Sequence, residues 1–149
     1  MSPATDFNAF VTVLREVMFA LRAISNELLA DLGCTTAERG VLDDLDHHGP
    51  LTVPDLAEAR AVARQTMQKT IDRLAERGWV VARPNPRHQR SVLLELTPAG
   101  RRLLAEVHDR ERRLVAATPL GLSGAELRRT TASLRTLQER LAARTRALS

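Results

Sequence analysis

The chain holds a single cysteine, Cys34, in 149 residues. No intrachain disulfide can form, which fits a reducing compartment. No apolar run approaches the ~18 residues that a membrane-spanning helix needs. The opening residues, Met1 to Asp6, lack a basic stretch leading into an apolar one, so no signal peptide is expected. The expected location is the cytoplasm, with no membrane partner. Also missing are a glycine-rich phosphate loop, a nucleophile elbow and a spaced metal motif. Those absences argue against an enzyme and leave neither cofactor nor metal to be expected. There is no low-complexity segment and no long-period repeat. Lysine is nearly absent: of 22 basic residues only Lys69 is lysine. Arginine suits bidentate phosphate and guanine contacts, although it also dominates outside the functional window described next.

Charge is unevenly placed. Residues 60–90 hold Arg60, Arg64, Lys69, Arg73, Arg77, Arg83, Arg87 and Arg90 against Asp72 and Glu76, a local balance of +6. The whole chain is +4, so the remainder is −2. A basic window in a slightly acidic remainder points to a polyanion bound at one place.

The apolar spacing of Phe7, Phe10, Val11, Leu14, Val17, Met18, Leu21, Ile24 and Leu28 predicts a helix over residues 6–30, ended at Leu32-Gly33. Thr35 to Glu38 reads as a capping box, followed by a helix burying Val41, Leu42 and Leu45 and stopped by Gly49-Pro50. A short helix is expected from Val53 to Arg60, with Pro54 in its first turn. After a turn at Ala61-Val62, a helix is expected from Ala63 to Arg77. Its inner side would carry Met67, Ile71 and Leu74, and Gly78 would end it. Trp79–Arg83 and Ser91–Leu96 read as paired strands, with Trp79 as core beneath them. The loop from Pro84 to Arg90 is stiffened by two prolines. Thr97-Pro98 opens a helix to about Ala117. Ser123 to Glu126 is a second capping box. The final helix has a short heptad seam of Leu127, Thr130, Leu134, Leu137 and Leu141.

The order is four helices, a β-hairpin and two helices: a mainly α fold whose middle is a helix-turn-helix with a wing. These residues resemble the MarR family (multiple antibiotic resistance regulators), winged helix-turn-helix proteins of bacteria. The likeness runs from Leu56-Ala57-Glu58 through Val62, Thr66, Asp72-Arg73-Leu74, Arg77-Gly78 and Val80. It continues through Asn85-Pro86, Arg90, Val92 and Leu96-Thr97-Pro98-Ala99-Gly100. It implies one domain over 1–149, with a DNA-binding lobe at 31–97. Residues 5–30 and 98–149 would be dimerisation helices, meeting through Phe7, Phe10, Leu14, Leu127, Leu134, Leu137 and Leu141. Three departures stand out. Ala63 replaces a common serine at the start of the recognition helix. Arg60-Ala61 replaces Leu-Gly in the turn. His88-Gln89-Arg90 replaces Asp-x-Arg in the wing, leaving Arg90 without its carboxylate brace.

On this reading the recognition helix enters the major groove of double-stranded DNA, where each base pair shows a distinct donor and acceptor pattern. Arg64 suits guanine, Gln65 and Gln68 suit adenine, and Lys69 suits guanine or phosphate. Thr66 is expected at the backbone or a thymine methyl. Arg87, His88 and Arg90 stud the wing, from which arginine can enter a narrow minor groove. Arg73 and Arg83 are expected at phosphates. The resemblance implies a ligand-responsive repressor acting as a homodimer on an inverted repeat. Its effector would be a small, often aromatic molecule bound where the dimer helices meet the lobe, with pocket residues unassigned.

Two alternatives involve other residues. A metal-responsive regulator could use His47, His48 and His108, though adjacent side chains on a helix diverge and zinc needs three or four convergent ligands. A redox-responsive one could use Cys34, for which a small buried hydrophobe is the plainer reading. A third reading, a winged helix that binds protein, is opposed by the basic window.

Overall fold

A computed structural model of the chain describes residues 2–147. It is mainly α with a two-stranded antiparallel hairpin: α1 (Pro3–Leu29), α2 (Thr36–His48), α3 (Val53–Ala59), α4 (Arg64–Glu76), β1 (Val80–Pro84), β2 (Val92–Leu96), α5 (Pro98–Ala117) and α6 (Gly124–Arg146). Two compact units are present, Met1–Arg113 and Leu114–Ser149. Among the described residues, no helix is long and apolar enough to cross a membrane.

Side chains near the termini set the helix ends. Ser2 caps α1 by accepting from the Thr5 amide at 3.4 Å. The helix therefore begins at Pro3, earlier than the apolar spacing from Asp6 onward predicts. Residues 2–5 carry a cap and an N1 proline but no apolar periodicity. Thr35 and Glu38 form the expected capping box on α2. Thr52 and Asp55 form another on α3, which the sequence reading recognised only through Pro54. The Asp55 carboxyl is held below the usual range by the Thr52 hydroxyl and amide.

The strands start one residue later than the sequence predicts, and the end of α4 explains it. Gly78 sits at φ +70°. Its amide reaches Ala75 O at 2.9 Å, and the Trp79 amide reaches Leu74 O at 2.9 Å. This is a Schellman closure, so Trp79 belongs to the helix stop and pairing begins at Val80. The register runs from Val80↔Leu96 to Pro84↔Val92. Leu51 adds a one-residue bridge to Leu94 on the other edge of β2.

The core lies in the first unit, where α2, α3, α4 and the hairpin converge. Val41, Leu56, Leu74 and Leu94 are almost fully buried there. From α5, Leu104 and Val107 complete it. The α5 start is fixed to the α4 stop. The Thr97 hydroxyl donates to Gly78 O at 2.6 Å and accepts from the Gly100 amide at 3.0 Å. Gly100 lies against the Trp79 carbonyl so closely that a Cβ would clash with it. Further along α5, Arg110 grips Asp31 through both carboxylate oxygens, at 2.5 and 2.9 Å, and Leu28 O at 3.0 Å. That pairing pushes the Asp31 carboxyl below its usual range.

The second unit holds the end of α5 and α6. Ser123 and Glu126 cap α6 reciprocally, as the sequence predicts. On this helix Leu127 and Leu141 are exposed, and Leu134 and Leu137 are half-buried. On α1, Phe7, Phe10, Val13, Val17 and Phe19 are exposed, and Leu14 is half-buried. An apolar face of this size is unusual for a solvated helix.

Candidate nucleic-acid interface

Helix α4 divides cleanly around its circumference. Met67, Thr70, Ile71 and Leu74 are buried. Opposite them, Arg64, Gln65, Gln68, Lys69 and Asp72 are exposed, as 3.6-residue periodicity dictates. Arg64, Gln65 and Lys69 make no side-chain hydrogen bond or ion pair among the described residues, so their donors are free for a ligand. Gln68 is different: its amide nitrogen donates to Asp72 at 2.8 Å. That bond holds the Gln68 side chain along the helix. Ala63 is the N-cap and provides no side-chain bond, so the first amides of α4 are left without a side-chain partner.

The basic residues on the flank of α4 are engaged internally. Arg73 Nε lies 3.2 Å from Glu38 Oε1, and Arg77 lies 3.3 Å from Glu38 Oε2. Arg77 also donates to Gly33 O and stacks over the Trp79 ring, 5.1 Å from its centroid. Glu38 is 1% exposed. It holds the Thr35 amide at 2.8 Å as well. One carboxylate thus caps α2 and positions the flank of α4. The sequence reading identified Glu38 as a cap only, and its two long-range arginine partners left no local signal. Thr66, expected at the DNA backbone, lies on this same flank and lines a cavity described below.

The wing loop gets its shape from Asn85. Its side-chain oxygen accepts from the Arg87 amide at 3.0 Å, and its nitrogen donates to Ser91 Oγ at 2.9 Å. Arg87, His88 and Arg90 are exposed and make no side-chain hydrogen bond or ion pair among the described residues. Arg90 has no brace in place of the missing carboxylate; the loop backbone is fixed and the guanidinium is not. Arg83 lies 3.8 Å from Glu95 across the hairpin. Of the eight basic residues in the window, Arg60, Arg73, Arg77 and Arg83 are therefore ion-paired. Arg64, Lys69, Arg87 and Arg90 remain free, on the exposed face of α4 and on the wing loop.

The histidines do not form a metal centre. Among the described residues, no group of three or more His, Cys, Asp or Glu side chains could hold a metal ion. His47 Nδ1 is 2.8 Å from the Asp43 carbonyl, and His108 Nε2 is 3.1 Å from the Asp43 carboxylate. His48 is exposed. Asp43 is bound by Arg39 at 2.7 Å, and Arg39 also binds Glu111 at 2.9 Å. Cys34 is buried, and its thiol is pushed up to about 11 by burial and by the Glu38 charge. A thiol kept protonated is a poor nucleophile.

Within the first unit, a cavity of about 500 Å³ opens between α1, α2 and the α3–α4 turn. Its walls are largely apolar, with Leu21, Val41, Val62 and Met67 among them, and Arg22, Arg39 and Arg60 supply charge. Arg39 and Arg60 are ion-paired. Arg22 has no partner among the described residues. One turn on from it, Ser25 is 9% exposed and its hydroxyl makes no hydrogen bond there. Neither residue drew attention in the sequence, because each looks like an ordinary polar position on α1.

Comparison with known proteins places this geometry. Residues 32–91 match the family model described as "MarR family". The chain is 32% identical to the multiple antibiotic resistance protein MarR of Salmonella typhimurium, over 57% of this chain and 59% of that protein. It is 33% identical to the HTH-type transcriptional repressor NicR of Pseudomonas putida, over 62% of this chain and 58% of that one. The match thus spans somewhat under three fifths of these curated relatives' length. Bordetella bronchiseptica BpsR was solved in work on regulation of its DNA binding by 6-hydroxynicotinic acid. Its structure superposes with a TM-score of 0.72 at 28% identity, covering 87% of this chain and 98% of that one. The helix-turn-helix, its wing and these likenesses agree: residues 32–91 form a winged helix-turn-helix of the MarR family.

Proposed function

We propose that this protein is a transcriptional repressor that binds double-stranded DNA as a homodimer and responds to a small aromatic acid. The observation that carries the DNA reading is the set of free cations. Arg64 and Lys69 stand on the exposed face of α4, and Arg87 and Arg90 stand on the wing, with no side-chain partner among the described residues. Helix α4 would read the major groove through Arg64, Gln65, Gln68 and Lys69. Arg87, His88 and Arg90 would lie along the minor groove, and Arg73 and Arg83, each already paired, would share their remaining donors with phosphates.

Dimerisation is supported by the apolar residues that a single chain leaves exposed, among them Phe7 and Phe10 on α1 and Leu127 and Leu141 on α6. With two-fold symmetry, the operator would be an inverted repeat with half-site centres ~10 bp apart.

The effector reading rests on the cavity. An apolar slot with an arginine that has no partner among the described residues, and a serine hydroxyl one turn away, suits a flat ring bearing a carboxylate. Arg22 would take the carboxylate, with Ser25 donating to it, and Val62 and Met67 would cover the ring. The regulation of BpsR by 6-hydroxynicotinic acid supports that class of ligand. Binding would act through unequal affinity for DNA-competent and incompetent arrangements.

The test is fluorescence anisotropy on the DNA upstream of the protein's own gene, against a shuffled duplex, near physiological salt. Preference of at least ~1,000-fold for the native sequence is expected of a specific regulator. Equal, weak binding to both would refute an operator at that locus. Arg64→Ala should lower specific affinity while leaving the dimer intact.

A further inference from the structure

Arg60 stands where the family often has leucine, at the end of α3 in the helix-turn-helix turn. Its guanidinium crosses to α2, binding Asp44 through Nε at 2.7 Å and donating to Gly40 O. Gly40 lies so close to the guanidinium that a Cβ there would overlap it. The next residue, Ala61, adopts φ +50°. It is the only non-glycine among the described residues in the left-handed region, which disfavours any side chain. Its neighbour Val62 bonds Ala57 O at 3.0 Å and leads directly into α4. A strained turn is thus held closed by an arginine clamped to the adjacent helix. That same arginine forms part of the cavity wall, as do Val62 and Thr66 on the far side of the turn.

We propose that Arg60 is an effector-gated latch. A carboxylate bound in the cavity draws the guanidinium away from Asp44 and Gly40 O, and the freed turn lets Ala61 relax and α4 shift. One carboxylate partner is exchanged for another, so the two states lie near balance. Burial of the ligand's ring tips the exchange. Because the ligand binds the open form better, occupancy weakens the arrangement of α4 that Asp44 stabilises. The latch rests on the effector reading above and assigns it a moving part: Arg22 anchors, Arg60 switches.

The test uses the full-length protein, 6-hydroxynicotinate as probe and calorimetric titration. Asp44→Asn removes the rival carboxylate. It should tighten probe binding by about tenfold, within the range of allosteric couplings. In an Arg60→Gln background the same change should do little, because no latch remains to be released. An equal gain in both backgrounds would reveal a plain charge effect and overturn the latch, as would no gain in either. Arg22→Ala separates the two readings. Binding that needs Arg22 but ignores Asp44 keeps the effector site and ends the latch. No binding by the wild type or by Asp44→Asn ends both. Hydrogen exchange gives a check on the unmutated chain. Amides from Ala61 to Thr66 should exchange severalfold faster with the probe bound, and slower exchange there would contradict release.

Discussion

Arg73 reaches past the edge of the exposed face of α4 to place its Nε 3.2 Å from Glu38 Oε1. Arg73 is about half exposed and Glu38 almost wholly buried, so the pair joins surface to interior. A buried carboxylate is costly unless its charge is matched and its lone pairs are filled. Two arginines match the Glu38 charge and the Thr35 amide donates to Oε2, while Oε1 meets Arg73 as an ion pair without a hydrogen bond among the described residues. The orientation of the recognition helix is therefore partly fixed by an acid at the start of α2.

Substitution of Glu38 should be the most damaging of the polar changes. Glu38→Gln keeps the cap but loses the charge, and is expected to cost about 1–2 kcal/mol. Glu38→Ala, which also empties the cap, should cost about 3 kcal/mol. Urea unfolding measures both. Arg73→Ala alone should cost less, because Arg77 still serves the carboxylate. A loss as large as that of Glu38→Ala would show that Arg77 cannot stand in.

The free and paired arginines should separate in salt titrations of DNA binding. Arg87→Ala or Arg90→Ala is expected to lower the slope of log affinity against log salt by about 2 for the proposed homodimer, the signature of one lost phosphate neutralisation in each subunit. Arg83→Ala should lower it by less, since Glu95 already shares that charge. Identical slopes for all three would mean that the hairpin pair opens on binding.

Ala61→Gly should stabilise the protein by about 1 kcal/mol, relieving a left-handed alanine. Thermal denaturation would report it. A destabilised variant would show that the entropy of the unfolded chain outweighs the strain.

The opposite holds at Gly100, where room rather than dihedral angle decides. Gly100→Ala improves helix propensity, yet its Cβ would press on the Trp79 carbonyl. A net loss of about 2 kcal/mol is expected, in the range seen for overpacking. Chemical denaturation would measure it, and a neutral result would mean that the joint between α4 and α5 can shift.

Cys34 predicts a pH effect of known sign. Its thiol titrates at about 11 in the folded protein, above its ordinary value of 9.0. Between those values the unfolded chain gives up the proton first, so stability falls as pH rises. Cys34→Ala should flatten that decline in melting experiments between pH 9 and 11. Iodoacetamide should also label native Cys34 slowly at pH 8, and rapid labelling would contradict the protonated state.

Most helix boundaries were readable because the residues that end helices do so locally. Thr35 with Glu38, Ser123 with Glu126 and Thr97 with Pro98 each act within a turn of where they stand. The outward face of α4 was readable for a similar reason, since helical periodicity alone opposes Arg64 and Lys69 to Met67 and Ile71. What the residues did not reveal was pairing at a distance. Arg77 and Glu38 are 39 positions apart, and no local pattern marks either as the other's partner. Counting charge from 60 to 90 therefore overstates the free charge, because half of the basic residues are already ion-paired within the fold. The cavity was equally hidden: Arg22 and Ser25 acquire meaning only when α2 and the turn close over them.

The Thr97 hydroxyl, bonded on one side to the last carbonyl of the α4 stop and on the other to the first turn of α5, makes a joint without slack. Gly100, seated on the Trp79 carbonyl, removes the remaining play. The part of α5 within the first unit, residues 98–113, is about 24 Å long. Pivoted at such a joint, it converts a 5° tilt of α4 into about 2 Å of travel at Arg113. The first residues of α5 thus act as a fulcrum, and a rotation too small to disturb the core is magnified along the helix.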